Sequence, residues 1–430
     1  MFHQAQATDY IDLLVQLEEL ATNSHVDVIV LNAGGSGWAV GDLFDINGGT
    51  VIGGLNAVGE VLTEAAGIAL TVRIFSGGAY TVSPGVAATT TAIIPAVGIN
   101  LTVDATILVT GWSTDRSGIV VAPERELLLR GTGSGAEEIF IGMETKQNVG
   151  AGVFYWELAG ATGFDNGEPL ETQPGTSLAS LETNDLTLPL NNGIIDYFIV
   201  IDPFHIKLIA KSGSSYTNLY MGFIFTYATP AEYPYPLVII GCSSDPNRSV
   251  PFNNSSNFMS GMHDPLQFAN NQDGPGAIRE VDGQWYLLAN AFQQGASKFR
   301  RSDRVIWPAG SITNNDSVNF EPQDRFTGNF AADDASVFFG GSSDVTPSKL
   351  LEPSVDSGGD IAFLWPTMIY QKLPSQQFLG ELIDVHPVSV FGIGAVSEDS
   401  MTLANGDVYL VFQNCNRTDT WTFFGIKRTF

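Results

Sequence analysis

Apolar residues recur at three- and four-residue steps in one stretch near the start of the chain, and in short runs almost everywhere after it. Across Thr8-Asp9-Tyr10-Ile11-Asp12-Leu13-Leu14-Val15-Gln16-Leu17-Glu18-Glu19-Leu20-Ala21 that spacing predicts an amphipathic helix. Thr8 is placed to cap it, and Asp9 and Asp12 fall in the first turn, where the helix dipole favours negative charge. The stripe Ile11, Leu14, Leu17, Leu20 has to be covered, by the chain itself or by a neighbour. Those four residues are the candidate inter-subunit contacts, on an N-terminal helix or assembly arm spanning 1–25.

After His25 the pattern turns to short β runs cut by glycine. Val26 to Leu31 reads as a strand. Gly34-Gly35-Ser36-Gly37-Trp38-Ala39-Val40 is then echoed by Gly77-Gly78-Ala79-Tyr80-Thr81-Val82, each a glycine pair followed by an aromatic and a valine. A glycine pair suits a turn or bulge with positive φ, after which the aromatic folds onto a small sheet. This predicts a compact duplicated glycine-rich β module over 26–104.

From Thr106 the runs lengthen. Strands are expected at 107–112, 126–130, 138–143, 152–158, 194–202, 205–210, 216–227 and 237–241, separated by turn-rich loops, which fits a β-sandwich over 105–242. Tyr233-Pro234-Tyr235-Pro236 belongs at an edge or crossover, since proline removes a ladder donor. Residues 243–275, rich in Asn, Ser, Asp and Pro, read as a polar linker. A second β-rich domain over 276–430 is marked by hairpins at Asp282-Gly283 and Asn405-Gly406, whose residues accept the φ values of primed turns, and by a terminal strand at 421–426. The fold class is therefore all-β: a multi-domain β-sandwich type with one N-terminal α-helix and a small glycine-rich β module.

Composition supports a folded chain, because 44% of the 430 residues are hydrophobic and only 15% are charged. The 46 acidic and 19 basic residues leave a formal charge of −27, which repels phosphate and argues against a nucleic-acid partner. Lys298, Arg300, Arg301 and Arg304 form the tightest basic cluster and read as a solvated loop. No basic segment leads into an apolar one at the start, and no long apolar run is present, so neither a secretory signal nor a membrane span is expected. Cys242 and Cys415 stand far apart and read as two buried thiols, with a single bridge as the alternative.

Chemistry is sparse. His3, His25, His205, His263 and His386 show no metal-ligand spacing. His263-Asp264 reads as a surface hydrogen bond in the linker. Ser36 and Ser134 lie among turn glycines without the following helix of a nucleophile elbow, and the Gly131-to-Gly135 run lacks the helix that anion loops use. Glu137-Glu138 point to opposite faces of an extended segment, and Asp333-Asp334 is the other adjacent pair. Asp42, Asp45, Asn47 and Gly48 lack the oxygen spacing of a calcium loop. Trp112, Tyr155, Trp156, Trp285, Tyr286, Trp307, Trp365 and Trp421 fit core positions better than a carbohydrate platform. No catalytic residue, metal or cofactor is expected.

Several stretches together resemble virion structural proteins of tailed bacteriophages. They are Ala7-Thr8-Asp9-Tyr10-Ile11-Asp12-Leu13-Leu14, the module from Gly34 to Asp42, Gly111-Trp112-Ser113 leading to Leu128-Leu129-Arg130-Gly131-Thr132-Gly133, and Glu137 to Gly142 with Phe154 to Leu158. Tyr233 to Leu237 and Tyr409 to Asn414 are similar too. The resemblance implies a multi-copy tail, baseplate or neck subunit without catalysis, made in the host cytoplasm and residing in the virion. Its partners would be copies of itself and other virion proteins, with no nucleic acid and no membrane. The alternative is a receptor-binding module for a host surface glycan.

Overall fold

The computed structural model describes residues 2–93, 95–133, 137–180, 186–240, 276–289, 304–307, 367–371, 377–388, 397–403, 405–413 and 423–428. The fold is all-β, with one helix longer than a single turn among the described residues. A central sheet takes, in spatial order, Phe2–Ala7, Ile195–Ile201, His205–Ser212, Ser215–Phe223, Leu237–Ile240, Gly276–Arg279, Trp285–Ala289, Arg304–Trp307, Met368–Gln371, Gln377–Glu381 and Phe225–Thr226. An outer antiparallel meander of Ser113–Val121, Glu124–Gly131, Ile139–Asn148, Val153–Ala161 and Leu186–Leu190 covers one face. A C-terminal sheet of Val385–Val388, Phe423–Lys427, Val408–Gln413 and Ser400–Thr402 covers the other.

Strand alternation explains this three-layer arrangement. Ile195, Tyr197, Ile199 and Ile201 point into a first core shared with Leu127, Leu129, Ile141, Trp156, Leu158 and Leu188 of the outer sheet. Phe198 and Val200 point the other way, into a second core with Phe412, Phe424 and Ile426. A sheet buried on both faces needs an apolar residue at nearly every position, which is why 197–201 reads as an unbroken run and not as an alternation.

The helix runs Tyr10–Thr22 and fills the space between the sheets, touching strands of both. Its cap is Asp9 and not Thr8: Asp9 Oδ1 accepts from the Ile11 and Asp12 amides, each at 2.8 Å. Thr8, one residue before the cap, donates its amide to Asp12 Oδ2 at 2.8 Å and ties the incoming chain to the first turn. Leu14, Leu17 and Leu20 lie fully within the first core, joined by Tyr10, Leu13 and Ala21, and Ile11 packs at its margin. The apolar face is wider than a one-residue stripe, and the chain's own sheets cover it. The candidate contacts Ile11, Leu14, Leu17 and Leu20 thus serve the fold, leaving the three leucines no surface for a neighbour. The expected arm over 1–25 is likewise integral, since Phe2–Ala7 pairs antiparallel with Ile195–Ile201.

The glycine-rich module is one eight-stranded sheet over Ser24 to Val109, with its own core of Val26, Trp38, Phe44, Ile46, Val61, Tyr80 and Val103. Gly35 and Gly78 both adopt φ of 63°, and Trp38 and Tyr80 are buried as the repeated pattern implies. Gly34 and Gly35 do not end their strand, however. They lie inside Ser24–Ser36, where a Cβ would strike the carbonyls of Ala69 and Ile99, so this pair admits close backbone approach, and the irregular register falls just before it, between Leu31 and Ala33.

The expected second domain over 276–430 divides differently. Its strands from Gly276 to Glu381 extend the central sheet, and only Val385 onward forms a separate layer. Both predicted hairpins are present, with Gly283 at φ 80° and Gly406 at φ 91°. Tyr233 to Pro236 is a crossover outside the strands. The linker at 243–275 and both cysteines lie outside the described residues.

Candidate functional site

Among the described residues, the acids singled out by adjacency do not form the clusters found below. Asp42 Oδ2 accepts from the Ala39 amide at 2.8 Å and braces a turn, while Asn47 bonds Thr91 at 2.9 Å. Glu138 faces Arg130 at 3.6 Å and is half-exposed. Ser36 ends a long strand. Ser134, His263, Asp333 and Asp334 fall outside the described residues. Of the aromatics, Trp112, Tyr155, Trp156 and Trp285 are buried, so these four offer no carbohydrate platform.

Three clusters that adjacency does not signal appear instead. In the outer sheet Glu144 stands opposite Glu157, and Glu171 of the short 3-10 turn Leu170–Thr172 reaches the same spot, so the three carboxylates lie within 4.8 Å of one another. Strand pairing creates this group across 13 residues of hairpin. Glu144 and Glu157 are buried, Lys146 pairs with Glu144 and stands 3.6 Å from Glu124, and burial raises the Glu144 carboxyl. The adjacent lysine offsets one of these charges, and the burial of two acids leaves little for a substrate to reach.

The second cluster joins the module to the body. His3 and His25 are not isolated: their rings lie 4.4 Å apart, both buried, and His25 Nδ1 bonds the Gly78 carbonyl at 2.5 Å. Burial pushes His25 down to about 4, and burial with the neighbouring His25 drives His3 well below its ordinary value. Beside them is a cavity of about 350 Å³ lined by His3, Gln4, Asp45, Asn56, Ser76 and Tyr197, among others.

The third lies between the central and C-terminal sheets. The turn Asp202-Pro203-Phe204-His205 is held by Asp202 Oδ1, which accepts from the amides of Phe204 at 2.9 Å and His205 at 3.0 Å. Asp202 Oδ2 stands 2.6 Å from His205 Nε2, and the His205 ring stacks on Tyr220 at 4.9 Å. Two residues on, Lys207 is wholly buried, with Asp384 Oδ2 3.9 Å from its Nζ. Burial lowers His205 to about 4 and Lys207 to about 8, the second against the pull of Asp202 and Asp384. An imidazole only 1% exposed presents no face to a substrate, so the Asp202–His205 pair is not arranged as an accessible acid–base couple.

The described surface also presents large apolar side chains. Val86, Val97, Val40, Ile99, Val30 and Val109 of the module are 82%, 78%, 64%, 59%, 58% and 67% exposed. Ser113–Val121 is the outermost strand of the five-stranded sheet and ends in Ile119, Val120 and Val121, exposed by 69%, 48% and 67%. Among the described residues no strand pairs with its outer edge, which sets backbone groups next to apolar side chains, the usual template for pairing with another chain. Comparison of the sequence with protein-family models and with curated proteins gave no match.

Proposed function

We propose that this chain is a non-catalytic, multi-copy assembly subunit of a tailed-bacteriophage particle, in the tail, baseplate or neck. The observation that carries the assembly role is the set of exposed apolar residues on the module and on the edge strand Ser113–Val121. Scattered apolar residues are ordinary on a soluble surface, but a hydrophobic tip on a free sheet edge is a liability unless another chain covers it. The virion setting rests on the resemblance of the sequence stretches named above. A charge of −27 keeps free subunits apart until a partner surface or high local concentration brings them together.

Sedimentation of the purified chain tests the assembly role. The expected result is a concentration-dependent oligomer burying more than about 1,000 Å² per contact. A monomer that persists at high concentration and takes up no other virion protein refutes it. Mass spectrometry of purified phage particles tests the setting, and absence of the chain from them removes it.

A further inference from the structure

Lys207 occupies a position where its neighbours are apolar or aromatic. Strand pairing sets Phe2 beside Val200, Val200 beside Lys207, Lys207 beside Tyr220, and Tyr220 beside Ile240. The other four members of that row are buried in the second core. The lysine is 0% exposed, and its Nζ makes no hydrogen bond among the described residues. An ammonium ion held out of water without hydrogen bonds is among the costliest arrangements a fold can keep. The C-terminal layer, which covers this face, brings up Asp384 at a turn where its backbone adopts φ of 55°. Its carboxylate stands 3.9 Å from Nζ, with Leu382 and Val385 on either side buried in the same core.

We propose that Lys207 and Asp384 react with each other to form an intramolecular isopeptide bond that ties the central sheet to the C-terminal sheet. The pair contains every atom needed. A proton passes from the Lys207 ammonium to the Asp384 carboxylate, giving an amine and an acid, and burial favours the uncharged form of the lysine. The Nζ lone pair attacks Asp384 Cγ and forms the C–N bond. The second amine proton and the acid proton leave with one carboxyl oxygen as water, as that C–O bond breaks. No oxidant, cofactor or second substrate enters. A buried ammonium and a partly exposed carboxylate become one neutral amide with a single N–H, which removes the cost that the buried ammonium carries. Asp202 lies near enough for its charge to hold the ammonium at the site before the proton leaves, and the ring of His205 stacks on Tyr220 beside it. The low proton affinity of Lys207 accords with a nucleophilic amine.

Mass spectrometry of the full chain, denatured and digested with trypsin, tests this. The expected wild-type mass is lower than that of the sequence by one water. Trypsin should fail to cut after Lys207, and a branched peptide should join 147–211 to 373–417. Lys207→Arg and Asp384→Ala should each show the full sequence mass. Asp384→Asn should lose ammonia in place of water and arrive at the same cross-linked mass as the wild type. Because the chains are denatured before measurement, the wild-type result stands even if a variant folds poorly. Cutting after Lys207 with recovery of 373–417 at its unmodified mass overturns the proposal, and so does a missing water that maps to another pair. A mixture of linked and unlinked chains supports it.

Discussion

Truncating the helix at Leu17→Ala separates a stripe that builds the fold from a stripe that builds an assembly. Leu17 is 0% exposed and sits with Leu13, Leu14 and Leu20 between two sheets. Two flanking sheets with paired backbones collapse poorly into a void, so the cavity contribution adds to the lost transfer free energy, and the expected destabilisation is about 3–4 kcal/mol. With a urea dependence of about 3 kcal/mol/M, the midpoint of unfolding falls by about 1 M. Urea titration followed by tryptophan fluorescence suits this, because Trp112 and Trp156 share the core with Leu17. The oligomer at low denaturant should be unaffected. Were the helix a docking arm, the same change would cost the folded chain less than about 0.5 kcal/mol and dissociate the oligomer. That pattern would overturn the placement of the helix as core.

The reverse is expected of the edge strand: Ile119→Asp with Val121→Asp should leave the urea midpoint nearly unchanged and weaken self-association in sedimentation. Gly35→Ala should unfold the module selectively, at a cost of several kcal/mol, since φ of 63° and the Ile99 carbonyl both oppose a Cβ there. Limited proteolysis should then cut first within 24–109. Removing the cap with Asp9→Ala should cost about 1 kcal/mol by thermal or urea melting. Acid should destabilise the fold early. His3, His25 and His205 have folded pKa values below 6.5, so the unfolded chain binds more protons, and stability is lost as pH falls from 6.5 towards about 4. His25→Gln should make the fall in urea midpoint over that window shallower, and an unchanged slope would show that His25 is not held neutral.

Much of the fold is legible because its signals are local. The runs at 195–201, 205–212 and 237–240 are apolar enough to be strands wherever they pack, and Asp282-Gly283 and Asn405-Gly406 name their own turns. Phe2–Ala7 escapes notice because His3, Gln4 and Gln6 break its pattern, and its strand character comes from pairing with residues nearly two hundred positions away. Thr8 and Asp9 are both good caps by type, and only the backbone decides between them. The clusters are less legible still. Glu144 meets Glu157 through hairpin register, and a strand ending at Met143 hides that pairing, whereas the strand runs on to Asn148. His3 and His25 are brought together by two different sheets, and Lys207 meets Asp384 across a layer boundary. The one available hint was Lys207 itself, a cation in the middle of a run that is otherwise apolar from Ile206 to Ala210.

The N-terminal strand also dictates an order of events. Phe2–Ala7 finds its partner only once Ile201 has been made, and the Arg428 guanidinium later lies over the rings of Phe2 and Phe75, 4.8 and 4.2 Å from their centres. A growing chain therefore holds Phe2–Ala7 unpaired until Ile201 is made, nearly two hundred residues later, with the amphipathic helix beside it. Loop closure over such spans is slow and leaves sticky surface exposed. Folding yield should therefore be governed by the rate of translation and by chaperones that shelter the first 22 residues, well before any subunit meets another.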